Sequence, residues 1–434
     1  MPATTGERTT GSRLAWLDVL RGVAALCVVF DHAGSFLPGR ISAAVNQWFN
    51  PGEYGVFVFF LISGYIVPAS LERKGSVRTF WVSRIFRLYP LYLLAVGLAL
   101  VLYAVHAGAL NSEGSDPVKS VLSQMLMMSN VLAGQNLPNV VWSLSYEMIF
   151  YLVLTALFMA RIHRRSSRYA LGFAVAAVAI GGLLPQAYFT NNVANPRVIA
   201  LVADMVVLTG LAFAVALRGV PRFLGAVLAA LVGLTLLAFN GTWLSPWEAL
   251  SILALMFTGT MLYRAVQGQY PWRAAITVAV TVLGLAIVSG LWHEGGGFYG
   301  PWQRSWIITF LLAGLTFGTG LALRNVRWPR FLTWLGLISY SVYLLHPALL
   351  EVYGHLAWTS AHYSLWPQLL VLASFLAILI AVCSLTYLFV ERPMQDVGRR
   401  LARRLDARFG PDRPPGRVLA VPAPALAGPA HSDG

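Results

Sequence analysis

The chain has 434 residues, of which 57% are hydrophobic and only 11% are charged, where a soluble domain carries about 25% charged residues. That balance leaves too little polar surface to cover a soluble fold of this length. The net charge of +14 does not point to nucleic acid, because the basic residues form short clusters between apolar runs and no continuous basic face.

Apolar runs of about 17 to 23 residues recur along nearly the whole chain, the length needed to cross a hydrocarbon core roughly 30 Å thick. In chain order, spans are predicted near 16–37, 54–71, 88–106, 141–160, 170–187 and 198–217. Six more follow near 223–239, 247–264, 274–291, 305–323, 334–352 and 367–389. The predicted fold class is an all-α, polytopic transmembrane helical bundle of about twelve spans, or ten if one helical pair is re-entrant. With both termini assigned to the cytoplasm, the inside segments hold 26 Lys and Arg residues. The outside loops hold four, Arg40, Lys119, Arg197 and Arg304, and Arg21 lies in a span. That asymmetry obeys the positive-inside rule and would collapse if one helix were miscounted midway.

Three regions are expected: a disordered N-terminal arm (1–13), a transmembrane domain (14–395) and a cytoplasmic tail (396–434), basic at first and then rich in Pro and Ala. The arginine-rich stretch from Arg399 to Arg408 suits an anionic lipid surface. The first apolar run does not read as a cleavable signal, since it contains Arg21 and Asp31. Cys27 and Cys383 both fall in apolar runs, so no disulfide framework and no metal-ligand spacing is present. Loop 107–140 is the longest outside connection, and loop 292–304 is rich in glycine and aromatic residues. A multi-pass protein of the cell membrane is expected, in contact with the lipid bilayer.

A charged side chain near a bilayer centre costs roughly 2.5–3.5 kcal/mol on insertion scales, so such residues point to function. Arg21 and His32 are eleven positions apart in the first span. At 100° per residue they fall about 20° from eclipsed, with a rise of about 16 Å. They share one helical stripe, Arg21 in the inner third and His32 in the outer third. The alternative for Arg21 is an inward snorkel beside Asp18, and for His32 a satisfied structural histidine. Glu147, Asp204 and His346 sit about as deep as His32 in three other spans, roughly 9 Å below the outer surface by helical rise. That coincidence suggests a pocket reached from outside. Arg84 and Arg87, at i and i+3, share a face as phosphate-binding residues would, although spacing alone favours ordinary anchoring at the inner surface.

At these residues the chain resembles acyltransferase family 3, the membrane O-acyltransferases, over about residues 13 to 395. The pieces that carry the resemblance are Leu17-Asp18-Val19-Leu20-Arg21-Gly22 leading to His32, and Val58-Phe59-Phe60-Leu61-Ile62-Ser63-Gly64-Tyr65. Further pieces are Arg84-Ile85-Phe86-Arg87-Leu88-Tyr89-Pro90, Trp142-Ser143-Leu144-Ser145-Tyr146-Glu147 and Ser339-Tyr340-Ser341-Val342-Tyr343-Leu344-Leu345-His346-Pro347. Their order along the chain is the family's order. Members are usually described with ten or eleven spans, so the departure centres on residues 170 to 265. Some members carry an extracytoplasmic hydrolase-like domain, which is not expected here.

The resemblance implies transfer of an acyl group, commonly acetyl, from acyl-CoA as co-substrate to a hydroxyl on a glycan, a lipid or a macrolide-like natural product, with no resident cofactor. It carries the family's arginine and histidine onto Arg21 and His32, its paired arginines onto Arg84 and Arg87, and its acidic residue onto Glu147. The residues permit His32 as general base on the acceptor hydroxyl, with Glu147 orienting its imidazole. Arg21 is then expected to meet the thioester carbonyl or a donor phosphate, and Arg84 and Arg87 the nucleotide phosphates. Asp31, Ser145, Asp204 and His346 are candidates for the acceptor pocket. The rival reading is a secondary transporter or exporter. It accounts equally well for buried charge but predicts two similar halves, and no internal repeat is visible.

Overall fold

The computed structural model describes residues 15–36, 45, 47–105, 117–294, 300–357 and 365–410. The expected arm at 1–13, the tail beyond 410 and the Gly-rich part of loop 292–304 lie outside the described residues. Every regular element among the described residues is helical.

The first four helices are α1 (Ala15–His32), α2 (Pro51–Lys74), α3 (Val77–Val105) and the short α4 (Pro117–Met125). Next come α5 (Trp142–Met159), α6 (Ser166–Ala179), the single-turn α7 (Tyr188–Asn192), α8 (Pro196–Ala216) and α9 (Val220–Phe239). The second half contributes α10 (Pro246–Val266), α11 (Trp272–His293), α12 (Pro301–Ala322), α13 (Arg330–Leu337) and α14 (Ser339–Ala357). Helices α15 (Leu365–Thr386) and α16 (Arg392–Phe409) are joined by a π turn at Tyr387–Glu391.

Among the described residues, nine helical stretches are long and apolar enough to cross a bilayer. Two bent pairs, α6 with the segment Gly181–Asn192 (51°) and α13 with α14 (65°), raise this to eleven if each is one span. The predicted twelve also includes α1, whose 18 residues are long enough to cross but carry Asp18, Arg21 and Asp31. The chain is a multi-pass helical membrane protein.

Helices α2, α5 and α10 are buried on most sides and form the centre, with α1 packed along α2. The crossing of α2 and α10 is set by two glycines. A Cβ on Gly64 would lie 1.9 Å from the Met256 carbonyl oxygen, and one on Gly259 would lie 2.3 Å from that of Leu61. Only hydrogen side chains let these backbones approach so closely, the usual device of helix pairs in lipid. Thr260 fixes the crossing by donating from Oγ1 to the Gly64 carbonyl (2.9 Å). This is the physical content of the glycine in Ser63-Gly64-Tyr65.

Two predicted boundaries shift. Helix α3 begins at Val77 rather than 88, so Arg84 and Arg87 stand inside a helix of 29 residues, not at its mouth. The polar first turns misled the apolar-run criterion, because they are covered by α16 rather than by lipid. Beyond Glu391 the chain stays helical and lies along α3: Asp406 accepts from Thr79 Oγ1 (3.1 Å) and approaches Arg78 Nη1 at 3.9 Å. The expected boundary at 395/396 therefore falls inside α16.

Candidate active site

His32 closes α1 and His346 stands in the middle of α14, which packs against α1. Their rings meet edge-on with centroids 5.1 Å apart. Each Nδ1 is turned to the carbonyl one helical turn back, His32 to Val28 (2.9 Å) and His346 to Val342 (3.0 Å). A carbonyl only accepts, so in the neutral rings Nδ1 carries the hydrogen and Nε2 presents its lone pair. Pro347 contributes to this arrangement. Lacking an N–H, it leaves the Tyr343 carbonyl without its helical donor, and that carbonyl also faces the His346 ring. His346 is fully buried and its Nε2 has no hydrogen-bond partner among the described residues, whereas His32 is exposed. The pair thus joins a reachable imidazole to a buried one.

One neighbour of this pair is not among the residues singled out from the sequence. Tyr343, one turn before His346, has its ring centroid 6.3 Å from that of the histidine. Its hydroxyl donates to the Val140 carbonyl (2.7 Å) and lies 2.6 Å from Ser143 Oγ. The i, i+3 spacing of Tyr343 and His346 on one helix face was the available signal.

A second cluster gathers around Arg21 at the other end of the stripe. Arg21 Nη1 lies 3.5 Å from Asp18 Oδ1. The charges of Arg87, Arg84 and Glu147 also act on it, so α1, α3 and α5 converge here. The Arg84 guanidinium is buried over the rings of Phe80 and Tyr151, each centroid 5.4 Å away. Glu147 Oε1 accepts from Ser63 Oγ (3.1 Å) and from the Tyr151 hydroxyl. Arg84 Nε is buried without a hydrogen-bond partner among the described residues. Arg87 is half-buried and in the field of Glu391, whose carboxylate accepts from Ser341 Oγ. Stacking holds the planar Arg84 fork in place.

The structure therefore brings His32 together with His346, and Arg21 with Arg84, Arg87 and Glu147. It does not bring Glu147 to His32. The hydrogen bonds of Glu147 go to Ser63 and Tyr151 and that of the His32 ring goes to Val28, which corrects the expected orienting contact. Helical rise from the start of α5 does not locate Glu147, because residues 126–141 are not a fully solvated loop: Leu126, Met127, Met128, Val131 and Leu132 are buried, so the start of α5 is covered by protein.

Three acceptor-pocket candidates have other surroundings. Ser145 is buried and accepts from the Asn130 N–H (3.2 Å), tying that buried segment to α5. Asp31 accepts from the Gly52 N–H in the first turn of α2, where a carboxylate suits the helix dipole. Asp204 is buried in α8, within electrostatic reach of Tyr89, and neither of its oxygens has a hydrogen-bond partner among the described residues.

A family model described as "Acyltransferase domain" matches residues 14–203 and 201–388. The chain is 33% identical over 148 residues to the acyltransferase MdmB of Streptomyces mycarofaciens, a match covering 32% of this chain and 38% of the relative. It is 30% identical over 206 residues to Nodulation protein 10 of Rhizobium leguminosarum bv. viciae, covering 43% of this chain and 54% of the relative. The chain thus spans about a third to a half of the length of these curated relatives. No solved structure matches the chain.

Proposed function

This chain belongs to the acyltransferase-domain family, and from that premise we propose that it is an O-acyltransferase of the bacterial cell membrane. It moves an acetyl or other short acyl group from acyl-CoA to a hydroxyl of a macrolide-like natural product or a cell-envelope glycan. The observation that carries this reading is the single helix with Arg21 near one end and His32 at the other. The first end is completed by Arg84 and Arg87, the second by His346.

Arg84 and Arg87 receive the phosphates of the donor, and the pantetheine arm runs along α1 toward His32. The rise of about 16 Å between Arg21 and His32 lies within that arm's reach. His32 Nε2 takes the proton of the acceptor hydroxyl as its oxygen attacks the thioester carbonyl. Collapse of the tetrahedral intermediate breaks the C–S bond, and the imidazolium returns the proton to the coenzyme A thiolate. Glu147, held by Ser63 and Tyr151, offsets the arginine cluster rather than serving the base.

The test is release of free thiol from acetyl-CoA, with radiolabel transfer to a hydroxylated acceptor, by the purified full-length protein. His32→Gln should lower both signals at least about a hundredfold in a protein that keeps its thermal transition. A transporter would release no thiol in the first place, and full activity of His32→Gln would refute this mechanism.

A further inference from the structure

A second concave site lies away from both clusters, between the peripheral helices α11 and α12. It is a cavity of about 480 Å³. One wall is the face of α11 bearing Trp272, Ile276, Val280 and Leu283, and the other is the face of α12 bearing Gly314 and Gly318. From Trp272 to Leu283 the slot is about 16 Å deep by helical rise. That is close to half of a hydrocarbon core roughly 30 Å thick, the depth of one leaflet. Its floor includes Leu61 and Phe317. Thr258, a polar residue in the lining, has its hydroxyl satisfied by the Ala254 carbonyl (2.8 Å).

The slot has one charged lining residue, Arg324, at the same end as Trp272. Arg324 Nη1 donates to the Leu321 carbonyl (3.1 Å), and it has no ion pair among the described residues. An apolar slot one leaflet deep, open between two lipid-facing helices and mouthed by an arginine and a tryptophan, matches a lipid molecule end to end. Gly318 borders open space in the slot: a Cβ built there meets nothing within 4 Å. The donor arginines Arg84 and Arg87 belong to α3, which does not border the slot.

We propose that this slot binds an anionic phospholipid, one acyl chain lying between α11 and α12 and the phosphate on Arg324. The site is independent of the transfer chemistry. Phe317, in its floor, also packs edge-on against Trp16 of α1 (centroids 5.7 Å), so the bound chain supports the helix that carries Arg21 and His32.

Native mass spectrometry of the full-length protein in detergent, titrated with phosphatidylglycerol or with phosphatidylcholine of the same acyl chains, tests this. The wild type should retain one phosphatidylglycerol under activation that strips phosphatidylcholine. Gly318→Leu and Ile276→Trp, which fill the slot from opposite walls, should each lose the bound lipid. Arg324→Gln should keep a lipid but reduce the anionic preference about fivefold, the factor expected of one basic residue near a membrane surface. Equal retention of the two lipids by the wild type would overturn the proposal. So would undiminished retention in the filled-slot variant that folds, or recovery of acyl-CoA in place of phospholipid.

Discussion

The imidazoles of His32 and His346 meet edge-on, with ring centroids 5.1 Å apart and planes inclined at 63°. Both Nδ1 atoms are committed to carbonyls, so a proton arriving at His32 Nε2 meets a second ring that is also an acceptor. On the mechanism proposed above, His346 positions the base by packing against its ring, without itself contacting the acceptor. His32→Gln should lower acyl transfer by about 10²–10⁴-fold, the usual contribution of a positioned base. His346→Gln should lower kcat less and shift the acid limb of the pH–rate profile, a change that a purely structural role would not produce. The double variant should cost no more than His32→Gln alone, because the two rings act as one unit.

The donor end predicts a different kinetic signature. Arg87 is half-buried, whereas Arg84 is buried over Phe80 and Tyr151. Arg87→Ala should raise KM for acyl-CoA about 10- to 100-fold, as loss of a charge-assisted hydrogen bond of ~1.5–3 kcal/mol implies, with kcat little changed. Arg84→Lys should lower the thermal transition as well, since an ammonium does not reproduce a planar fork stacked between two rings. Steady-state kinetics beside differential scanning fluorimetry separates the two effects. A lowered kcat at unchanged KM in Arg87→Ala would move that residue away from donor binding.

How far the site was legible follows from which periodicities are local. The Arg21–His32 stripe needs only the helical repeat within one span, and the structure keeps both residues in α1. The partnership of His32 with His346 could be anticipated only in part from their matching depth, because α1 ends at His32 and α14 runs from Ser339 to Ala357, whereas the apolar runs end near 37 and begin near 334. Glu147 could not be placed in this way, because its depth was counted from an outer end that residues 126–141 bury. The start of α3 was missed for a related reason. Its polar first turns face α16, whose Asp406 takes Thr79 and approaches Arg78, a long-range pairing that no local pattern announces. The buried Ser341–Glu391 hydrogen bond, linking residues fifty positions apart, is equally invisible in sequence.

Asp31 adjoins His32 in sequence, yet its carboxylate serves the start of α2. It accepts from the Gly52 N–H, and a Cβ on Gly52 would come within 2.5 Å of Asp31 Oδ2. Asp31→Ala should therefore cost about 1 kcal/mol of stability, the typical value of a helix N-terminal acceptor, while kcat/KM stays near wild type. Gly52→Ala should be destabilising as well, because the carboxylate would have to leave its donor. A kcat/KM loss in Asp31→Ala as large as that of His32→Gln would place Asp31 at the reacting atoms instead.

His163, in the turn between α5 and α6, predicts an acid limit on stability. Burial, together with the guanidiniums of Arg264 and Arg164, lowers its imidazole from the ordinary 6.5 to about 4. Its Nε2 lies 3.7 Å from Glu72 Oε1, but that carboxylate is engaged by Arg264, which also donates to the His163 carbonyl (3.1 Å). At neutral pH the ring is uncharged, so the contact is no ion pair. Because the folded value is the lower one, the unfolded chain binds the extra proton between pH 6.5 and pH 4. The stability contributed by neutral His163 is therefore complete above about pH 6.5 and is lost as the pH falls toward 4, of order 3 kcal/mol in all. Thermal transitions measured across that range should fall less steeply for His163→Asn than for the wild type. Parallel slopes for the two proteins would mean that His163 titrates at its ordinary value.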